Sequence, residues 1–262
     1  LRPKGVVAAV VPSTNPLATP VNNIINALKC GNSIIVAPSP KGAKPLKELL
    51  LFIHKNMSII GLDQDLVQMV PVPPSKAKTN RLMELADMLV VTGSQNNVKA
   101  GYSSGTPALG VGQGNVVTII DETADTEAAA KKIAISKTFD NATSCSSENS
   151  VIAVEEVYEE TVEYLSHEGG LLLNDEEANR LINIHWKNGK MTTDLLAQDI
   201  GVIIEKVGLR ERANKNTKFL ILPTNKAGPS EVVCGEKMSR FLTLYKVKTF
   251  SEAIDLAIKI QD

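Results

Sequence analysis

The chain begins with an unbroken run of apolar positions, Gly5-Val-Val-Ala-Ala-Val-Val11, which ends at Pro12. A short continuous run of this kind is the pattern of a strand buried on both faces. After the turn Pro12-Ser-Thr-Asn-Pro16 the period becomes helical, with Val21, Ile24, Ile25 and Leu28 on one face and a stop at Gly31-Asn32. The alternation then repeats. Ser33-Ile-Ile-Val-Ala37 predicts a strand, broken by Pro38-Ser-Pro-Lys-Gly42, and Leu46, Leu49, Leu50 and Ile53 mark a helix. Leu66-Val-Gln-Met-Val70 predicts a strand, Leu82, Met83, Leu85 and Ala86 a helix, and Met88-Leu-Val-Val91 a strand that turns at Thr92-Gly-Ser94. Short apolar strands alternating with longer helices imply βαβ units around a parallel sheet. Right-handed crossovers place the strand-to-helix loops along one edge, where ligands of such sheets bind. The loops at 12–16, 37–42 and 92–95 are therefore expected to converge on one crevice, and residues 1–113 read as a nucleotide-binding domain.

The glycines of Gly110-Val-Gly-Gln-Gly-Asn115 lack the spacing of the dinucleotide fingerprint and open no helix, so they read as a turn at a domain crossing. Val116-Val-Thr-Ile-Ile120 starts a second α/β region, 114–262. It has helices predicted over 126–136, 155–168, 175–184, 195–207 and 251–261, and strands at 151–154, 219–222 and 241–247.

Composition narrows the classes of partner. With 28 basic and 29 acidic residues there is no bulk field to attract nucleic acid or an anionic membrane. No apolar run approaches the roughly 20 residues of a membrane span, and no signal peptide is visible, so a cytoplasmic setting is expected. Three cysteines, Cys30, Cys145 and Cys234, are too scattered for a disulfide framework or a zinc site, and no metal is expected. The chain opens on Leu1-Arg-Pro-Lys and stops inside an amphipathic helix, and both edges read as cuts within a longer protein.

One stretch carries candidate chemistry, Phe139-Asp-Asn-Ala-Thr-Ser-Cys145-Ser-Ser-Glu-Asn-Ser150. It is either a site where a thiol meets a carbonyl or a polar turn around an inert cysteine. No Lys, Arg or His adjoins Cys145, so activation must come from the fold or from a bound cationic nicotinamide. His54 lies in a helical stretch, and His167 and His185 end charged helices, where surface positions are expected. A Cys-His hydrolase would lack its imidazole base. A nucleotide-binding sheet and a lone cysteine together favour another reaction. Attack on an aldehyde gives a thiohemiacetal, and hydride loss to NAD(P)⁺ leaves a thioester.

The motifs Val11-Pro-Ser-Thr-Asn-Pro16, Thr92-Gly-Ser94, Ala100-Gly-Tyr-Ser-Ser-Gly105, Gly110-Val-Gly-Gln-Gly-Asn115 and Phe139-Asp-Asn-Ala-Thr-Ser-Cys145 occur in a familiar order and spacing. The chain resembles the middle portion of CoA-acylating aldehyde dehydrogenases, including the aldehyde dehydrogenase half of bifunctional aldehyde-alcohol dehydrogenases. The resemblance implies an α/β fold, with a Rossmann-like parallel-sheet coenzyme domain (1–113) followed by an α/β catalytic domain (114–262) that is incomplete at its C-terminus. It implies Cys145 as nucleophile, with its own N–H and a side chain from Thr14 or Asn15 holding the oxyanion. It implies coenzyme contacts from Pro12, Thr92, Gly93, Ser94 and Gly112, and a ribose-gripping glutamate at Glu236. It also implies coenzyme A as cosubstrate and a homo-oligomer. Hydrolytic relatives place a water-activating glutamate where this chain has Val111, so the thioester is expected to await the thiolate of coenzyme A. Aldehyde-alcohol dehydrogenases carry a histidine where this chain has Gly235. That departure, with the polar run after Cys145, points to another aldehyde, such as sulfoacetaldehyde, with acetaldehyde and succinate semialdehyde as alternatives.

The loop after the second strand has no acidic residue to repel a 2′-phosphate and offers Ser39 and Lys41 as donors, which favours NADP⁺ over NAD⁺. The competing reading is a cofactor-binding fragment without turnover.

Overall fold

A computed structural model of the chain describes residues 2–112 and 114–261. The backbone divides into two compact units, 1–113 and 114–262, each built on its own parallel sheet. The first unit runs β1 (Val6–Val10), α1 (Ala18–Lys29), β2 (Ser33–Ala37), α2 (Ala43–Ile59), β3 (Val67–Met69), α3 (Lys76–Leu85), β4 (Met88–Thr92), α4 (Gln95–Tyr102) and β5 (Ala108–Val111). Its strand order is β3-β2-β1-β4-β5, with every pairing parallel.

Side chains alternate across a strand, and both faces of this sheet are covered, which is why β1 is apolar throughout. Val7 and Ala9 pack with Ile24, Leu46 and Leu50 on one face, while Ala8 and Val10 pack with Leu82, Met83 and Val98 on the other. Each fully buried Val, Leu or Ile contributes roughly 1.5–3 kcal/mol. The crossovers leave β1 toward β2 and toward β4 in opposite directions. Such a reversal opens a crevice at the carboxyl ends of the central strands.

The second unit runs β6 (Val116–Ile120), α5 (Thr126–Thr138), β7 (Glu148–Val154), α6 (Glu155–His167), β8 (Gly170–Leu172), α7 (Asp175–His185), β9 (Trp186–Lys187), β10 (Lys190–Met191), α8 (Ile200–Val207), β11 (Phe219–Pro223), β12 (Phe241–Val247) and α9 (Phe250–Gln261). Its main sheet is parallel, in the order β6-β7-β12-β11-β8. β9 and β10 form a separate antiparallel hairpin through Asn188 and Gly189, both at positive φ (52° and 71°), as a two-residue turn of this kind requires. The Asn115 amide donates to Cys234 O (2.9 Å) and Ile260 O (3.2 Å), tying the start of this unit to its last helix.

Several local features differ from the pattern-based expectation, among them the short strands β8, β9 and β10, which were not among the expected strands. Residues 108–111 form a strand, β5, rather than part of a turn. Its run Ala108-Leu-Gly-Val111 is short and carries Gly110, the first of three closely spaced glycines that read as a turn, although the pairing with β4 is regular. The helix expected from 195 begins only at Ile200, because Ala197 sits at φ 58° with its N–H on Met238 O (2.9 Å). β7 begins at Glu148, three residues early, since polar Asn149 and Ser150 join the buried ladder. α4 is a helix of mostly polar residues with too weak an apolar face to be predicted. Among the described residues no helix is long and apolar enough to cross a membrane, and no group of three His, Cys, Asp or Glu could hold a metal.

Candidate active site

The thiol loop, residues 139–147, joins α5 to β7. Asp125 caps the start of α5 by accepting from the Ala128 N–H (2.9 Å), and the helix runs until Thr138. There the chain turns left-handed for three residues, Asp140, Asn141 and Ala142, at φ 46°, 52° and 60°. Asp and Asn tolerate this region, whereas alanine pays roughly 1–2 kcal/mol. Surrounding bonds hold the turn in place. The Asn141 amide donates to Ala197 O (3.2 Å), and the Thr143 hydroxyl donates to Asp140 O (2.8 Å). Strain of this kind persists only where the surroundings over-determine it, and it clusters at functional sites.

Cys145 emerges from this turn as an exposed free thiol. The hydroxyls of its neighbours Ser144 and Ser146 lie 2.9 Å apart, and the Ser147 N–H donates to Ser144 O (3.0 Å). Behind the thiol residue, a Cβ on Gly114 would sit 2.8 Å from Cys145 O. Only glycine fits there. The glycine-rich segment is thus partly a packing device for the thiol loop, although its Gln113 lies outside the described residues.

The polar run after Cys145 turns inward. Ser147, Asn149 and Ser150 are buried, and Ser150 Oγ lies 2.9 Å from Thr243 Oγ1 on β12. Asn149 Oδ1 accepts from the Lys237 backbone N–H at 3.0 Å. Asn149 and Ser150 therefore pin β7 to segment 235–237 and to β12, and Ser146 is the exposed member of the run. The polarity of this run therefore serves the packing of β7 and gives little guidance on the aldehyde.

Glu236 sits half-buried on the loop before β12, fixed from both sides. The fully buried Lys237 donates from Nζ to Val233 O (2.8 Å) and Gly235 O (3.0 Å), and burial holds its ammonium well below the ordinary lysine range. Lys137, at the end of α5, is also fully buried and donates to Glu148 O (2.9 Å), closing the base of the thiol loop. Burial lowers its pKa to about 7, partly offset by attraction to the Glu148 and Glu236 carboxylates. Nothing in the sequence flagged Lys137, because a lysine on an amphipathic helix reads as solvated.

His185 is a correction of the same kind. It is fully buried, packed edge-on against Trp186 (4.4 Å) and Phe241 (5.0 Å), and burial lowers its pKa to about 4. It is a neutral core ring and not a surface residue. His54 Nε2 lies 2.7 Å from Val67 O, linking α2 to β3, and His167 is exposed beside Glu163. Cys234 is buried next to the Tyr245 hydroxyl (3.7 Å), and Cys30 is half-buried.

One open cleft of about 340 Å³ lies against the thiol loop, lined by Lys132, Ile135, Ser136, Phe139, Ser144 and Ser146. It falls at the small end of the range for small-molecule sites, about 300–1,000 Å³.

In the first unit the remaining candidate residues cluster at the carboxyl edge of the sheet. Pro12 follows β1, and Thr14 and Asn15 are exposed on the next turn. Asn15 Oδ1 accepts from the Ala18 N–H (3.1 Å), which turns its amide nitrogen away from α1. Ser39 Oγ accepts from the Gly42 N–H (3.1 Å) and keeps its proton to donate, while Lys41 is exposed beside it. Thr92 ends β4, opposite Val111. Gly93 holds φ 149°, which favours glycine, and its N–H donates to Val111 O (3.1 Å). Ser94 caps α4 by accepting from the Asn97 N–H (3.4 Å). Gly112 lies under the Gln95 side chain, whose tip is 2.6 Å from where a Cβ would be. A turn of hydroxyls and a required glycine at a helix start, beside an acid-free loop after β2, fits a dinucleotide.

Residues 1–182 match the aldehyde dehydrogenase family. The chain is 49% identical over 254 residues to a sulfoacetaldehyde dehydrogenase (acylating) of Cupriavidus necator, covering 97% of this chain and 52% of that protein. An acetylating aldehyde dehydrogenase from Geobacillus thermoglucosidasius superposes with a TM-score of 0.93 at 34% identity, over 99% of this chain and 57% of that one. A Rhodopseudomonas palustris propionaldehyde dehydrogenase, solved with bound CoA and an acylated cysteine, superposes with a TM-score of 0.90 at 30% identity, over 99% and 59%. The chain thus spans about half the length of the curated relatives it matches. By the residues matched along its length, it belongs to the aldehyde dehydrogenase family.

Proposed function

We propose that this chain carries the thiol and coenzyme-binding parts of a CoA-acylating aldehyde dehydrogenase. It would convert a short aldehyde, coenzyme A and NAD(P)⁺ to acyl-CoA. The observation that carries this reading is an exposed cysteine on a strained, heavily pinned loop; the family resemblance adds Val111 where hydrolytic relatives place a water-activating glutamate.

The Cys145 thiolate attacks the aldehyde carbon, and its own N–H holds the resulting oxyanion. By the family resemblance, the second donor would be a side chain of the Thr14-Asn15 turn. The nicotinamide coenzyme supplies the hydride acceptor when bound. Pro12, Thr92, Gly93, Ser94 and Gly112 would hold it at the sheet edge, with Glu236 on its ribose and Ser39 and Lys41 on a 2′-phosphate, favouring NADP⁺. Loss of hydride leaves an acyl thioester on Cys145. With no glutamate at Val111 to activate water, the coenzyme A thiolate displaces Cys145 and releases acyl-CoA.

The aldehyde proposed is sulfoacetaldehyde, supported by the Cupriavidus relative, ahead of acetaldehyde and succinate semialdehyde. The full protein is read as a cytoplasmic homo-oligomer. Because the chain spans about half of its relatives, a second reading is a binding fragment without turnover of its own.

The test is an aldehyde panel on the full-length protein, with and without coenzyme A. NAD(P)H formation that requires coenzyme A and disappears in Cys145→Ala is expected. Fast release of free acid without coenzyme A, or activity with no nicotinamide coenzyme at all, would overturn the reading.

A further inference from the structure

We infer that the cleft beside the thiol loop takes the charged end of an anionic aldehyde, with Lys132 as its counter-ion. The inference rests on the proposed role of Cys145 and names which residues choose the substrate.

Lys132, Ile135 and Ser136 are spaced i, i+3 and i+4 and share one face of α5, and Phe139, just past the helix, lines the same cleft. The opposite face, Ala130, Ile133, Ala134 and Lys137, is buried. The outward face is unusual for a solvated one, because it leaves Ile135 62% and Phe139 67% exposed beside a cation. Exposed apolar surface next to one charge is what a small ligand with methylenes and a charged end would complement.

The far wall is made by Ser144 and Ser146, which bracket the thiol, so a tail resting there lies near a carbonyl at Cys145. Among the described residues Lys132 enters no ion pair. Asp140, the nearest acidic group on the loop, is engaged by the Thr143 hydroxyl at 2.6 Å. Lys132 is the one charged group among the six lining residues, and Ser136 together with one hydroxyl of the paired Ser144 and Ser146 can donate. An ammonium with hydroxyl donors is the chemistry of sulfonate or carboxylate recognition through charge-assisted bonds. The inward turn of Ser147, Asn149 and Ser150 sharpens the assignment, because it removes the other polar residues near Cys145 from consideration.

Two measurements on the full-length protein test this. The first is the ratio of kcat/KM for sulfoacetaldehyde over propionaldehyde, with succinate semialdehyde as a carboxylate arm. In Lys132→Ala the ratio should fall roughly tenfold, chiefly through KM, and Lys132→Arg should restore most of it. Added salt should lower the wild-type ratio and leave the Lys132→Ala ratio flat. An unchanged ratio in Lys132→Ala would overturn the inference.

The second measurement needs no turnover. Ethanesulfonate should slow alkylation of Cys145 by iodoacetamide in the wild type and not in Lys132→Ala. Equal protection in both, or none in either, would overturn the inference. If the wild type makes no acyl-CoA from any aldehyde yet shows Lys132-dependent protection, the anion subsite stands and the proposed reaction fails.

Discussion

The turns at the sheet edge of the first unit and the thiol loop of the second differ in how far their side-chain bonds reach. Each turn in the first unit is fixed by a side chain reaching three residues along its own chain, as Asn15 reaches Ala18, Ser39 reaches Gly42 and Ser94 reaches Asn97. The thiol loop is fixed by bonds spanning 56 residues (Asn141 to Ala197), 88 (Asn149 to Lys237) and 93 (Ser150 to Thr243). Two buried lysines and a buried histidine lie beneath it. The difference teaches that an edge which grips a ligand can be assembled from independent local caps. A reactive group needing one geometry draws on its whole unit, and it should fail with that unit.

The largest consequence is in pH dependence. His185 is held down to about 4 and Lys137 to about 7, both chiefly by burial. The charged form is disfavoured in the folded state, so the unfolded chain takes up each proton first. Stability contributed by a neutral His185 is full above its unfolded pKa near 6.5 and declines as pH falls toward about 4. The loss is roughly 3 kcal/mol, at about 1.4 kcal/mol per pKa unit. For Lys137 the decline runs from about 10.5 down to about 7. Urea unfolding of the second unit should show a midpoint that rises between pH 7 and 9.5. Lys137→Met should flatten that slope in part, with Lys237 supplying the remainder. A pH-independent midpoint would refute the burial argument.

Next comes Gly114→Ala. A methyl group 2.8 Å from Cys145 O must displace the thiol residue. A shift near 1 Å costs on the order of 100-fold in turnover. Circular dichroism should stay unchanged while kcat falls, whereas wild-type turnover in the variant would show that the contact relaxes freely.

A smaller effect is expected for Ser150→Ala, which breaks a buried bond between β7 and β12 and should cost about 1–3 kcal/mol of unfolding free energy. Ser39→Ala, which removes a local cap in the first unit, should cost about 1 kcal/mol or less. Equal losses would erase the contrast between the two regions. The smallest change is for Lys41→Ala, about fivefold in KM for NADP⁺. If that KM is retained, Lys41 does not contact the 2′-phosphate.

The central strands were legible because burial on both faces leaves an unbroken apolar run, as in β1, β2 and β4. The strand at Phe241–Val247 was legible from a mostly apolar run, interrupted only at Thr243 and Lys246. The helices at Glu155–His167 and Phe250–Gln261 announced themselves by amphipathic period. β5 escaped because its four residues are too short a run and lead into closely spaced glycines that read as a turn. The thiol itself stood out by its polar surroundings, yet its supports did not. Lys137 and Lys237 look solvated in one dimension, and His185 looks like a helix end. Their burial is decided by strands and loops tens of residues away. Gly114 was visible as a glycine, but its reason, the carbonyl of Cys145, was not.

The most direct test of the acyl-transfer role is the mass of the peptide containing Cys145 after full-length protein meets aldehyde and NADP⁺ without coenzyme A. An acyl adduct on Cys145 that persists for many turnovers' worth of time, then vanishes on adding coenzyme A as acyl-CoA forms, is predicted. An unmodified Cys145 while free acid accumulates would contradict it.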